Sequence, residues 1–93
     1  MSLTSVDAFD PSQYWQLNSQ VSLRDETFGA LAYHHGTRRL VFLKSRELVE
    51  LVRRLGDFAS AEEAITALVV PDQRTRYAAA LASLHRSELL GGR

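Results

Sequence analysis

The stretch FGALAYHHGTRRLVFLK, residues 28–44, most constrains what this chain can fold into. Two short apolar runs, 28–33 and 40–43, flank a polar, turn-like segment at residues 35–37. Both runs are rich in aromatic, β-branched or aliphatic residues, and a short connection containing glycine between two such runs is typical of a β-hairpin. The sequence therefore predicts antiparallel strands over about 28–35 and 38–44.

The second strand of this hairpin is predicted to lie at an open edge of the sheet. A helical pattern begins directly after it, and no later stretch resembles a strand that could pair with its far side. The apolar run 40–43 at an open edge promotes aggregation unless something covers it. We expect a partner peptide to cover it. The alternative is that the last helix covers the run and that Arg38, Arg39 and Lys44 blunt the edge.

The elements on either side of the hairpin complete the predicted fold. Alternating apolar and polar residues predict a strand over about 20–24. Ser45 is placed to cap a first helix, and Gly56 is placed as the glycine that follows its last turn. Ser60 and Glu63 form a capping box at the start of a second helix.

A third helix is predicted over about 72–90, with Pro71 in its first turn and Gly91-Gly92 at its end. Its best apolar stripe consists of Tyr77, Leu81 and Leu84. The element order is then β-β-β-α-α-α. This order predicts an α+β, winged-helix-like fold, in which a three-stranded antiparallel sheet is followed by three helices.

Length and composition indicate one ordinary globular domain. The 93 residues leave no room for a second core, and we expect 1–12 to be a flexible arm and 13–93 to be the domain. Eleven basic and eleven acidic residues cancel, which argues against a sequence-independent polyanion binder. The absence of cysteine fits a reducing compartment, and no signal peptide or membrane-length apolar run is visible, so we expect a cytoplasmic location.

No catalytic, metal or cofactor site is predicted. His34 and His35 are neighbours on a strand, so their side chains point to opposite faces, and no further ligands occur at the required spacing. Glu62 and Glu63 are explained by the first turn of a capped helix. The chain contains neither a nucleophile elbow nor a glycine-rich phosphate loop. We therefore expect a protein that is not an enzyme.

The chain resembles the PqqD-like peptide-recognition domains, or RiPP recognition elements, and among them the small chaperones of mycofactocin biosynthesis. The resemblance is carried by FGALAYHHGTRRLVFLKS at 28–45, by LVELVRRLG at 48–56 and by WQLNSQVSLR at 15–24, and it covers roughly residues 13–90. It implies a stand-alone, non-catalytic domain that binds the leader of a ribosomally made precursor peptide and presents the peptide to a radical SAM maturase.

The resemblance also implies where the leader binds. It implies that the leader adds as an extra strand beside residues 39–44 and lies in a cleft against the third helix at 77–84. The implied peptide-binding residues are Arg38, Arg39, Leu40, Val41, Phe42, Leu43, Lys44, Tyr77, Ala80, Leu81 and Leu84. The cations among them could pair with acidic residues of a leader. We expect a monomer or a weak homodimer, because an unoccupied edge could also pair with itself.

A winged helix-turn-helix DNA-binding protein is the alternative function. Its recognition helix would be 71–86, with Arg74, Arg76 and Arg86 as contacts. The neutral total charge and the alanine-rich middle of this helix, which offers few side chains for base edges, argue against it.

Overall fold

The computed structural model describes residues 9–92 and confirms the predicted α+β order of a three-stranded antiparallel sheet followed by three helices. The elements are β1 (Gln16–Leu17), β2 (Val21–Glu26), β3 (Gly29–His34), β4 (Arg39–Leu43), α1 (Arg46–Arg54), α2 (Ala61–Leu68), α3 (Arg74–Arg86) and β5 (Leu90–Gly91). The large sheet has the order β2-β3-β4, and β1 pairs with β5 in a separate ribbon. The likeness to a winged helix stays a prediction.

The central strand β3 presents small side chains to the helices. Ala30 and Ala32 are fully buried, and their cross-strand partners on β4 are Leu43 and Val41. Because side chains alternate between the two faces of a sheet, these four residues share the inner face, against which α1 packs. Two alanines at the centre of that face leave room for the helix to approach closely.

One hydrophobic cluster fills the space between the sheet and the helices. The predicted stripe of α3 is confirmed, since Tyr77, Leu81 and Leu84 are all buried. The largest fully buried side chains are Leu43, Leu51, Leu55, Leu81, Leu89 and Val52. No helix among residues 9–92 is long and apolar enough to cross a membrane.

The start of β3 passes very close to the end of β4 at Gly29. This glycine has φ +149°, a conformation that L side chains rarely adopt. A Cβ atom at this position would overlap the carbonyl oxygen of Leu43 and would lie 3.0 Å from the amide nitrogen of Ser45. Only glycine therefore fits where β4 leaves the sheet and α1 begins.

Both predicted serine caps are present. The Ser45 hydroxyl accepts a hydrogen bond from the Leu48 amide at 3.0 Å, and the Ser60 hydroxyl accepts one from the Glu63 amide at 3.1 Å. Ser45 differs from Ser60 in one respect, because its hydroxyl also lies 3.1 Å from the hydroxyl of Tyr77. One side chain thus caps α1 and links the end of β4 to α3.

The prediction for Gly56 is confirmed in position, since it directly follows the C-cap residue Leu55 of α1, but the left-handed conformation of a C′ glycine is absent. Gly56 lies inside a 3₁₀ turn, Leu55–Asp57, that follows α1, and its φ is not positive. A Cβ atom there would lie 3.1 Å from Tyr14 and from Gln16, and the Tyr14 hydroxyl donates to the Gly56 carbonyl. A residue without a side chain suits this position, because residues 14–16 pass close to it.

The predicted end of the third helix is wrong. The helix stops at Arg86, and Glu88 adopts a left-handed conformation with φ +65°. The Leu89 amide donates to the Leu84 carbonyl and the Glu88 amide to the His85 carbonyl, which together form a Schellman motif. The chain then turns into β5, whose residues pair with β1 and not with β4.

The segment before β1 packs on the C-terminal part of α3. The rings of Phe9 and Trp15 both lie against His85, with the Trp15 ring centroid at 4.9 Å. The Trp15 indole donates to the Asp10 carbonyl at 2.8 Å. Of the predicted arm 1–12, residues 1–8 lie outside the described residues, so its flexibility stays a prediction.

We expect the substitution Gly29→Ala to lower the free energy of unfolding by about 2 kcal/mol or more, since it adds a clash to an unfavourable φ. Gly91→Ala is the matched control, because a Cβ atom there meets nothing within 4 Å. The control should change stability by less than about 0.5 kcal/mol. Denaturant unfolding measures both. Equal effects would contradict the close approach at Gly29.

We expect Ser45→Ala to destabilise the protein by about 2 kcal/mol and Ser60→Ala by about 1 kcal/mol, because both lose a helix cap and only Ser45 also loses a hydrogen bond to Tyr77. In a Tyr77→Phe background the two serine substitutions should have the same effect. A double-mutant cycle followed by denaturant unfolding tests this link. If Ser45→Ala remained more destabilising than Ser60→Ala by the same amount in the Tyr77→Phe background, the hydrogen bond between Ser45 and Tyr77 would contribute nothing to stability.

Candidate functional site

The outer side of β4 bears no further strand of the described chain. β4 is an edge strand, and the late strand β5 pairs elsewhere. Beyond its pairing with β3, no hydrogen bond between residues 9–92 reaches the backbone of residues 40–43. Within residues 9–92 the predicted open edge is therefore present, and its outward-facing backbone groups have no partner there.

The two faces of β4 differ sharply. Leu40 and Phe42 point away from the helices and are each 53% exposed, whereas Leu43 on the inner face is fully buried. The ring of Phe28, itself 41% exposed, lies 5.7 Å from the ring of Phe42. The open edge is thus flanked on its outer face by an apolar patch, which also includes the half-buried Leu31 and Tyr33 of β3.

The hairpin loop before β4 is held by a buried histidine. His34 is 4% exposed, and its Nδ1 atom accepts hydrogen bonds from the amides of Gly36 at 3.0 Å and Thr37 at 3.1 Å. His35 points the other way, where its ring packs against Tyr33. The two histidines occupy opposite faces, as predicted, and no three His, Asp or Glu side chains of the described part form a group that could hold a metal ion.

This loop positions the two arginines that begin β4. Arg38 has a left-handed conformation with φ +64°, and its amide donates to the His34 carbonyl at 2.7 Å. The Arg39 amide donates to the Thr37 hydroxyl at 3.2 Å. Both arginine side chains are exposed. The hairpin loop therefore places two cations beside the start of the open edge.

A cleft lies at the other end of β4, where the strand passes into α1. Its walls include Val70, which is 60% exposed, and the buried Tyr77, whose hydroxyl lies 3.1 Å from that of Ser45. The residues that line the cleft are Ser45, Glu47, Leu68, Val69, Val70, Gln73, Arg76 and Tyr77. It could receive apolar side chains of a chain that follows the edge.

The predicted site residues fall into two groups. Those with side chains at the surface are Arg38, Arg39, Leu40, Phe42 and Lys44, together with the half-buried Val41 and Ala80. Leu43, Leu81 and Leu84 lie in the hydrophobic core, and Tyr77 is buried at the wall of the cleft. The structure brings the end of β4 and Tyr77 together, whereas a binding role for any of these residues stays a prediction.

Sequence reasoning missed the part of the cleft contributed by the connection between α2 and α3. Leu68, Val70 and Gln73 were not predicted as site residues, although they line the cleft. The available signal was a pair of valines directly before Pro71 at the end of a helix. The residue before a proline favours an extended conformation, which Val70 adopts, and Val70 is exposed while Val69 remains in the core.

Arg74, one of the three arginines that a DNA-binding helix would use, serves an internal role. Its guanidinium donates to the carbonyls of Val69 and Thr66, each at 3.0 Å. These two hydrogen bonds link the end of α2 to the start of α3. Arg76 donates to the Gln73 side chain at 3.1 Å.

Comparison with known proteins gives a consistent result. The model of the Peptide chaperone MftB family matches residues 14–91. A protein named Peptide chaperone MftB from Mycolicibacterium smegmatis is 48% identical over 83 residues, which cover 88% of this chain and 81% of the relative. Proteins with the same name from Mycobacterium ulcerans and Mycobacterium tuberculosis are 45% and 42% identical, over 89% and 88% of this chain and 77% and 76% of the relatives.

No solved structure matches the chain significantly. The family model spans β1 to β5 and includes the open edge and the cleft. From this match and the three relatives, the chain belongs to the Peptide chaperone MftB family.

Proposed function

We propose that this protein binds the leader of a ribosomally made precursor peptide as an additional strand on β4 and presents the peptide to a radical SAM maturase. The family is named for a peptide chaperone, which is a non-catalytic role, so the protein is not an enzyme. The single observation that carries the mode of binding is the open backbone edge of β4 beside a cleft.

Strand addition would use both parts of this site, the backbone edge of β4 and the side chains of the cleft and the outer face beside it. The edge supplies backbone hydrogen bonds, which bind any extended chain, and the neighbouring side chains select among sequences. Successive side chains of an added strand alternate in direction. One set would lie on the outer face beside Leu40 and Phe42, and the other set would point inward, towards the cleft at Val70 and Tyr77.

The expected affinity is moderate. About five added backbone hydrogen bonds contribute about 1 kcal/mol each, and about two buried aliphatic anchors contribute about 2 kcal/mol each. Ordering a flexible peptide costs about 2–5 kcal/mol, and the loss of overall rotation and translation costs several more. These costs offset much of the gain, so binding is expected to be moderate and not tight, which allows a chaperone both to collect a peptide and to release it.

Titration of the labelled protein with synthetic leader peptides locates the site. We expect the largest amide shifts in residues 38–44 and around Val70 and Tyr77, because these residues border the edge and the cleft. The amides of β2, at the opposite edge of the same sheet, serve as the internal control and should shift little. Shifts that cluster instead at 60–66 would contradict the proposed site.

A scan of N-methylated leader peptides tests the mode of binding. Only every second amide of an added strand donates to the edge, so methylation should weaken binding at alternate positions and have little effect between them. Each sensitive position should lose about fivefold or more in affinity, since one hydrogen bond is removed and a methyl group is added. A loss without this two-residue period would indicate that the peptide binds in another conformation.

A further inference from the structure

We propose that the edge of β4 selects an extended peptide whose apolar centre is flanked at both ends by acidic residues. This inference rests on the proposed strand addition and names the class of sequence that the same site accepts. It is drawn from the charges at the two ends of β4, from the side chains between them and from the consequence of pairing the strand with itself.

Both ends of β4 carry exposed cations without a carboxylate partner. Arg38 and Arg39 stand at the start of the strand and Lys44 directly after its end, and none of them forms an ion pair with another residue of the range 9–92. By contrast, Arg24 of β2 pairs with Glu26 and Arg53 of α1 pairs with Asp25, each at 2.8 Å. Arg38, Arg39 and Lys44 thus leave positive charge without an opposite partner at both ends of the open edge.

Between these cations the strand is entirely apolar. Residues 40–43 read Leu-Val-Phe-Leu, and the two outward-facing members are half exposed. A guest strand would place its own side chains about 5 Å from them, and cross-strand pairs of aliphatic or aromatic residues stabilise a sheet. The centre of the guest is thus expected to be β-branched or aliphatic, and its ends to be negatively charged.

The same charges disfavour a second copy of this chain as the guest. Two copies of β4 can pair in an antiparallel arrangement with Val41 opposite Val41, which matches all five residues of each strand. This register places Arg38 of each copy opposite Lys44 of the other. Like charges directly opposite each other destabilise a pair of strands. A guest with carboxylates at these positions converts both repulsions into attractions.

The opposite edge of the sheet, formed by β2, is not an apolar strand flanked by unpaired cations. β2 carries Arg24, Asp25 and Glu26 within the strand, where charged side chains interrupt an apolar surface. Arg24 and Asp25 already have partners of opposite charge. The cleft beyond Lys44 contains one carboxylate, that of Glu47, and one cation, Arg76, so it adds no net charge to the site.

Three synthetic peptides of about ten residues test the inference with the full chain. They share one Val- and Thr-rich centre and carry Asp, Asn or Lys residues at both ends. Fluorescence anisotropy at low and high salt measures the affinity of each peptide for three proteins. These are the wild type, the double variant Arg38→Glu, Arg39→Glu, and the control Arg24→Glu, which reverses an arginine charge on β2 instead. Amide shifts of the wild type with the Asp-ended peptide show where it binds.

We expect the wild type to bind the Asp-ended peptide about tenfold more tightly than the Asn-ended one at low salt, with the difference reduced at high salt. The double variant should lose this preference and favour the Lys-ended peptide, whereas the Arg24→Glu control should keep it. Sedimentation should show a monomer at micromolar concentration.

Equal affinities for the three peptides, with amide shifts in β4, would overturn the charge selection and leave strand addition intact. Shifts confined to other elements, or no binding of any of the three, would overturn this inference and count against the proposed strand addition as well. A micromolar dimer that dissociates on Val41→Pro substitution would identify a second copy as the occupant and would also overturn it.

Discussion

The contact between the Gly29 backbone and the Leu43 carbonyl determines where the sheet ends and the helical layer begins. With no side chain at Gly29, the first residue of β3 can lie against the last residue of β4. The chain then turns at Ser45, which caps α1 and bonds to Tyr77. The missing Cβ atom at Gly29 thus permits this close approach, and Ser45 connects the end of the strand to α1 and to α3 beside the cleft.

The open edge of β4 combines two opposing requirements. A strand that accepts a guest must leave its backbone groups free, but a free apolar strand also attracts copies of itself. In the proposed binding mode, cations at both ends of the strand reconcile these requirements, since they would repel an identical strand and leave the hydrogen-bonding groups accessible. Protection against aggregation and recognition of a peptide can therefore reside in the same three side chains, Arg38, Arg39 and Lys44.

Features that depend on neighbouring residues could be predicted from the sequence, and features that depend on distant ones could not. The hairpin and the caps at Ser45 and Ser60 follow from local rules, and the structure confirms them. The end of α3 does not: Glu88 takes the left-handed position that usually requires glycine, because Leu89 is thereby fully buried. The cleft wall at Val70 was missed for a similar reason, since its place beside Tyr77 depends on how α2 and α3 pack.

The pairing of β1 with β5 has a mechanical consequence. Gln16 lies opposite Gly91, and Leu17 opposite Leu90, so both ends of the chain leave this ribbon on the same side. A force that pulls the two termini apart loads the hydrogen bonds of the ribbon one after another, as in opening a zipper, and not all together. The ribbon should yield at low force while the three-stranded sheet remains intact, so a force applied to the termini would first detach the ends and leave β4 in place.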